Sequence, residues 1–143
     1  FAANRAVMSA FQPGDHGSTF GGNPLAAAVA LATLDILERD DLPTKARTLG
    51  EYFRGRLREL RSPLIAEVRG QGLLIGIEIE PRIATARAVC EALQRFGILS
   101  KDTHGTVVRF APPLIITKEE IDWAVERIAR ALTEAGRGFK QAA

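Results

Sequence analysis

The sequence predicts an α+β domain, with helices on one face of a short, mainly antiparallel sheet, preceded by a segment of different character. Three observations carry this. From residue 41 the pattern runs helix, strand, strand, helix, strand, strand, helix, the order of a two-layer α+β unit. One strand alternates cleanly, with Ile75, Ile77 and Ile79 on one face and Glu78 and Glu80 on the other, as a half-buried strand does. Residues 25–34, by contrast, carry no charge at all.

Residues 1–12 are mixed and weakly apolar, and 13–24 are so dense in Gly, Pro, Asp, Ser and Asn that they predict a shaped loop. Asn23 is a good N-cap and Pro24 suits a first helical position, so a helix is expected to start there. Its charge-free stretch predicts burial on all sides, against chain not present here. Asp40-Asp41-Leu42-Pro43 opens a second helix to about Arg61, with Leu42, Ala46, Leu49, Phe53, Leu57 and Leu60 on one face. Its arginines, mixed with Glu51 and Glu59, are expected on a solvated face.

Two strands follow, 65–69 and 73–80, joined at Gly70-Gln71-Gly72, where glycine supplies a positive φ. A helix is expected from Ile83 to Phe96, striped by Ile83, Val89, Cys90, Leu93 and Phe96, with Gly97 as its C-terminal glycine. A short strand at 98–100, a loop at 101–105 and a strand at 106–110 precede Pro112-Pro113. Thr117-Lys-Glu-Glu120 is a capping box, opening a helix with Ile121, Val125, Ile128 and Leu132 inward to about Ala135, and 136–143 are expected to fray. The expected organisation is therefore 1–40 and 41–143.

Composition narrows the function classes. Of 143 residues, 46% are apolar and 25% charged, an ordinary globular balance. A net charge of +2 is no electrostatic footprint for nucleic acid, and no apolar run reaches the roughly 20 residues that span a bilayer. A single cysteine excludes an internal disulfide and a multi-cysteine metal site. The opening residues lack a basic n-region and an apolar h-region, so no signal peptide is read there. Because the first residue is Phe1, the chain is expected to be a piece of something longer.

Four features could carry chemistry. Ser18 and Thr19 stand before Phe20-Gly-Gly-Asn-Pro24, and hydroxyls and glycines at a helix start can hold a phosphate. A turn with a cap would look much the same. Arg109 stands among apolar residues, so it needs either an internal carboxylate or a ligand carboxylate, which its fork binds with two hydrogen bonds. His16 and His104 lie in separate Gly-containing loops without metal spacing and are expected to order those loops by hydrogen bonding. None of Lys45, Lys101, Lys118 and Lys140 stands where a desolvated Schiff-base lysine is expected. No metal ligand set is expected.

Together Asp15-His-Gly-Ser-Thr-Phe-Gly-Gly-Asn-Pro24, Val68-Arg-Gly-Gln-Gly-Leu-Leu74 and Thr103-His-Gly-Thr-Val-Val-Arg-Phe-Ala-Pro-Pro113 resemble the C-terminal part of class III pyridoxal-phosphate aminotransferases. The resemblance runs from residue 1 to about 135. Thr103-His-Gly with Arg109-Phe-Ala-Pro-Pro is most similar to ornithine-using members, ahead of acetylornithine and 4-aminobutyrate relatives. It implies a type I fold, with 1–40 the end of the large cofactor-binding domain and 41–143 the small C-terminal domain. It implies that Ser18 and above all Thr19 contact the phosphate of pyridoxal 5'-phosphate, Thr19 reaching the other subunit of a homodimer. It implies that Arg109 meets substrate carboxylates or pairs with an active-site glutamate. Amino-acid and 2-oxo-acid substrates and a cytoplasmic location are expected. The family's Schiff-base lysine, its acid for the pyridine nitrogen and its stacking aromatic lie upstream of the match to Phe1–Met8. No catalytic residue is therefore expected in this chain, and the chain alone is expected to be inactive.

Overall fold

A computed structural model describes the backbone of residues 3–142 and the side chains of residues 3–137. The chain divides into two compact units between Asp40 and Asp41.

In the first unit, α1 (Arg5–Met8) is a single turn that the sequence pattern did not reveal, capped where Asn4 Oδ1 accepts the N–H of Val7 at 3.1 Å. A loop leads to α2 (Pro24–Arg39). Its start follows the expected chemistry: Asn23 Oδ1 accepts the Ala26 N–H at 2.9 Å and Pro24 occupies the first turn. Its burial does not: no residue of α2 is buried, and Leu25 is 75% and Leu31 64% exposed. A charge-free sequence states what a helix prefers to touch, but the described residues do not supply that cover.

The second unit begins with α3 (Leu42–Glu59), followed by the hairpin of β1 (Ile65–Gln71) and β2 (Leu74–Ile79). The connection is tighter than expected. Gln71 pairs with Leu74, so the turn is Gly72-Leu73, with Gly72 at φ 53°. Positive φ at the first of two turn residues matches the twist of the strands it joins. Gly70 lies within β1 instead, where a Cβ would come 2.3 Å from the Leu74 carbonyl oxygen.

Helix α4 (Ala86–Arg95) starts three residues later than expected, because Thr85 caps it through the Ala88 N–H at 3.1 Å while Ile83 belongs to the preceding turn. It ends as the sequence foretold. Gly97 has φ 81°, the Ile98 N–H reaches the Leu93 carbonyl and the Gly97 N–H reaches that of Gln94, a Schellman ending.

Strand β3 is Lys101–Thr103, not 98–100, and pairs with β4 (Val107–Phe110) around His104-Gly105-Thr106. Helix α5 (Lys118–Ala142) opens with the capping box complete: Thr117 Oγ1 accepts the Glu120 N–H at 3.2 Å, and Glu120 Oε2 accepts the Thr117 N–H at 2.8 Å. It continues past the expected end at Ala135 and into the stretch expected to fray, as far as Ala142.

The sheet order is β1-β2-β4-β3 and every pairing is antiparallel. Helices α3, α4 and α5 lie over one face. There Leu57, Ile75, Ile77, Ile79, Val89, Leu93, Val108, Ile121, Ile128 and Leu132 are essentially fully buried. On the opposite face Val107 is buried, Glu78 half-buried and Arg69, Lys101 and Arg109 exposed.

Three α3 arginines, expected on a solvated face, keep some exposure (Arg58 exposed, Arg54 and Arg56 half-buried) and are also tied down. Arg54 donates to the Gly72 carbonyl at 2.9 Å and Arg58 to that of Val68 at 3.0 Å. Arg56 donates to Asp122 of α5 at 2.8 Å, and the Tyr52 hydroxyl lies 2.8 Å from both oxygens of the same carboxylate. Arginine stems can lie along apolar surface while their heads reach polar partners.

Candidate functional site

Ser18 and Thr19 lie in the exposed loop before α2. A turn follows, in which the Asn23 N–H reaches the Phe20 carbonyl at 3.3 Å and Gly22 takes φ 78°, the left-handed value a type II turn needs at its third position. Gly21 matters for space, since a Cβ there would lie 2.9 Å from Ser18 Cβ. The helix terminus itself offers less than a bare end would. Pro24 has no N–H, and Asn23 takes those of Ala26, through its side chain, and Ala27, through its carbonyl. The loop offers more: neither the Ser18 nor the Thr19 hydroxyl has a hydrogen-bond partner among the described residues. Two free hydroxyls on a glycine-shaped loop fit a phosphate, which accepts hydrogen bonds on every oxygen.

Arg109 lies in β4 on the sheet face away from the helices. Cross-strand register sets a row of neighbours: Arg69 opposite Gly76, Gly76 opposite Arg109, and Arg109 opposite Lys101. Directly opposed residues share a face. The next row holds Glu67, Glu78, Val107 and Thr103. Arg69 donates to Glu67 and Glu78, each at 2.8 Å. The Thr106 hydroxyl, followed by the Arg69 guanidinium, holds the Glu78 carboxyl below the usual carboxylate range. Arg109 is exposed and forms no hydrogen bond or ion pair with any described residue. Of the two alternatives left open by its apolar neighbourhood, the internal carboxylate is absent among the described residues. Its strand neighbours are apolar because Val108 and Phe110 face the core while Arg109 faces away.

Ser18 and Thr19 belong to the first unit and Arg109 to the second. The histidines do not order their loops by side-chain hydrogen bonds. His16 stacks on Phe11 with ring centroids 6.5 Å apart, and His104 occupies a left-handed corner at φ 52°. Cys90 is half-buried and accepts from the Ser100 hydroxyl at 3.3 Å, and burial pushes its thiol up. Lys118 lies over the Tyr52 ring, Lys45 and Lys101 are at the surface or near it, and Lys140 lies outside the described side chains. Among the described residues no three His, Cys, Asp or Glu side chains could hold a metal ion, and no helix is long and apolar enough to cross a membrane. The Tyr52–Asp122–Arg56 cluster escaped the sequence reading. The i, i+4 spacing of Tyr52 and Arg56 was its one local sign, and Asp122 lies 66 residues beyond Arg56.

The family model for class-III aminotransferases matches residues 1–132, and the chain belongs to that family. Its members use pyridoxal phosphate and have the type I fold. Among individual proteins, the chain is 55% identical over 129 residues to an ornithine aminotransferase of Geobacillus sp. (strain WCH70), covering 90% of this chain and 32% of that protein. The solved ornithine aminotransferase of Toxoplasma gondii, whose active site holds the cofactor at partial occupancy, superposes with a TM-score of 0.78 at 44% identity, covering 94% of this chain and 32% of that one. The acetylornithine aminotransferase of Elizabethkingia anophelis superposes with a TM-score of 0.76, also at 44% identity, covering 92% and 36%. The chain therefore spans about a third of the length of the proteins it matches.

Proposed function

We propose that this chain is the C-terminal part of an ornithine δ-aminotransferase, converting ornithine and 2-oxoglutarate to glutamate semialdehyde and glutamate in the cytoplasm. In this reading residues 1–40 end the large cofactor-binding domain and residues 41–143 form the small one. Pyridoxal phosphate, when bound, supplies the electron sink for amino-group transfer, and the protein orients it and the substrates. Ser18 and Thr19 donate hydroxyl hydrogen bonds to its phosphate. The enzyme is a homodimer, and Thr19 serves the cofactor of the other subunit.

The observation that carries the reading is Arg109: an exposed guanidinium on the sheet face away from the helices, without a carboxylate among the described residues, in one row with an Arg69 whose charge is matched. A planar fork in that state suits the carboxylate of an amino or 2-oxo acid. In the holoenzyme carrying this segment, Arg109→Ala is expected to raise KM for 2-oxoglutarate at least tenfold and to affect ornithine less. Equal losses for both substrates would count against the division of labour. The chain by itself is expected to show no transaminase activity with added pyridoxal phosphate, and a reducible lysine adduct with stoichiometric turnover would overturn that.

A second reading is an acetylornithine or other class III ω-aminotransferase, favoured by the Elizabethkingia anophelis structure at identity equal to that of the Toxoplasma gondii one. Relative kcat/KM for ornithine and N-acetylornithine separates the two. A stand-alone α+β binding module would instead be a clean monomer with a ligand of its own, which gel filtration tests.

A further inference from the structure

We infer that Lys101 is a second carboxylate-binding cation, adding a hydrogen bond to the 2-oxo acid carboxylate that Arg109 clasps; this rests on the reading of Arg109 above. The pairing of β3 with β4 sets Lys101 directly opposite Arg109, so both side chains leave the same face of the sheet. Both are exposed, and neither forms an ion pair or hydrogen bond with any described residue.

The charges of this row are unevenly matched. At one end Arg69 has Glu67 and Glu78 within 2.8 Å. At the other, Arg109 and Lys101 have no carboxylate among the described residues, and like charges directly opposed across strands destabilise the pair. The nearest acid in sequence, Asp102, stands opposite Val108 on the other face of the sheet and is 3.7 Å from Arg87 of α4. Gly76, between Arg69 and Arg109, contributes no side chain, and the nearest side-chain atom to a Cβ there would be Val107 Cγ1 at 3.2 Å. An anion relieves the repulsion of the Arg109–Lys101 pair. A carboxylate has about four lone-pair sites, two of which a guanidinium fork takes, leaving one for an ammonium.

The test uses the pyridoxal-phosphate-loaded holoenzyme carrying this segment. Lys101→Gln is expected to raise KM for 2-oxoglutarate about fivefold, the range of a solvent-exposed charged contact, with kcat and the ornithine KM changed by less than twofold. Lys101→Arg restores the KM. Calorimetric titration with glutarate, a dicarboxylate that undergoes no turnover, is expected to show the same fivefold weakening, which shrinks as salt screens the exposed ammonium. An unchanged KM and glutarate affinity in Lys101→Gln, alongside a large loss in Arg109→Ala, would overturn the role of Lys101 and leave that of Arg109 standing. No loss in Arg109→Ala would overturn both.

Discussion

Helix α3 contains two glycines that helix propensity treats alike and the fold does not. Glycine in a helix interior costs about 1 kcal/mol relative to alanine, so on propensity alone Gly50→Ala and Gly55→Ala both stabilise. At Gly55 nothing lies within 4 Å of an added Cβ, and Gly55→Ala is expected to gain roughly 0.5–1 kcal/mol. At Gly50 the added Cβ would lie 1.9 Å from the Gly72 carbonyl oxygen and 2.3 Å from its carbon. No rotamer relieves a contact between backbone atoms and a Cβ, so α3 and the β1–β2 turn must separate by more than an ångström. That strains the hydrogen bond from Arg54 to the same carbonyl. Overpacking of this kind costs about 1–3 kcal/mol, and often the upper part of that range where backbone must move. Net of propensity, Gly50→Ala is expected to destabilise by about 2 kcal/mol. In urea unfolding followed by Trp123 fluorescence, with a slope of about 1.5 kcal/mol/M, the midpoint falls by roughly 1.3 M. Gly55→Ala raises it by roughly 0.5 M on the same slope. A Gly50→Ala variant as stable as the parent would refute the close approach of helix and turn.

Two other outcomes concern Asp122 and Thr19. Hydrogen bonds from Arg56 and then Tyr52 hold the Asp122 carboxyl below its ordinary value. Its contribution is therefore complete above the ordinary aspartate pKa of about 4 and is lost as pH falls through the lower folded value. Asp122→Asn is expected to be less stable at pH 7, with the difference narrowing below about pH 4 in thermal melts; a difference independent of pH would exclude an electrostatic role. Thr19→Ala in the holoenzyme is expected to weaken cofactor retention about tenfold, the loss of one charge-assisted hydrogen bond, measured by cofactor absorbance after dialysis, and undiminished retention would remove Thr19 from the phosphate site.

What could be read in the sequence was what local chemistry decides. Thr117 and Glu120 exchange the two hydrogen bonds their spacing promised, Gly97 ends α4 as a left-handed glycine, and the isoleucines of β2 face the core. These depend on neighbours within a few residues. Strand β3 was missed because Lys101-Asp102-Thr103 has no apolar alternation and is a strand only through its pairing with β4. With it went the juxtaposition of Lys101 and Arg109, which no spacing in the chain announces. The hydrogen bonds of the α3 arginines were not legible because their acceptors are backbone carbonyls of β1 and the β1–β2 turn and a carboxylate of α5, all remote in sequence. Ser18, Thr19 and Arg109 were legible as residue types in suggestive company. Only the folded chain shows that Arg109 has no carboxylate partner among the described residues.

Helix α2 has a consequence for the order of assembly. Ala26, Ala27, Ala28, Ala30 and Ala32 make it rich in the best helix former, and Asn23 and Pro24 close its first turn. With no buried residue, it draws its order from its own backbone ladder and cap, at 16 residues just beyond the length where isolated helices are marginal. It can take shape before anything docks on it. A surface that later meets Leu25 and Leu31 finds side chains already mounted on a formed helix, so less backbone-ordering entropy is left to be lost on contact.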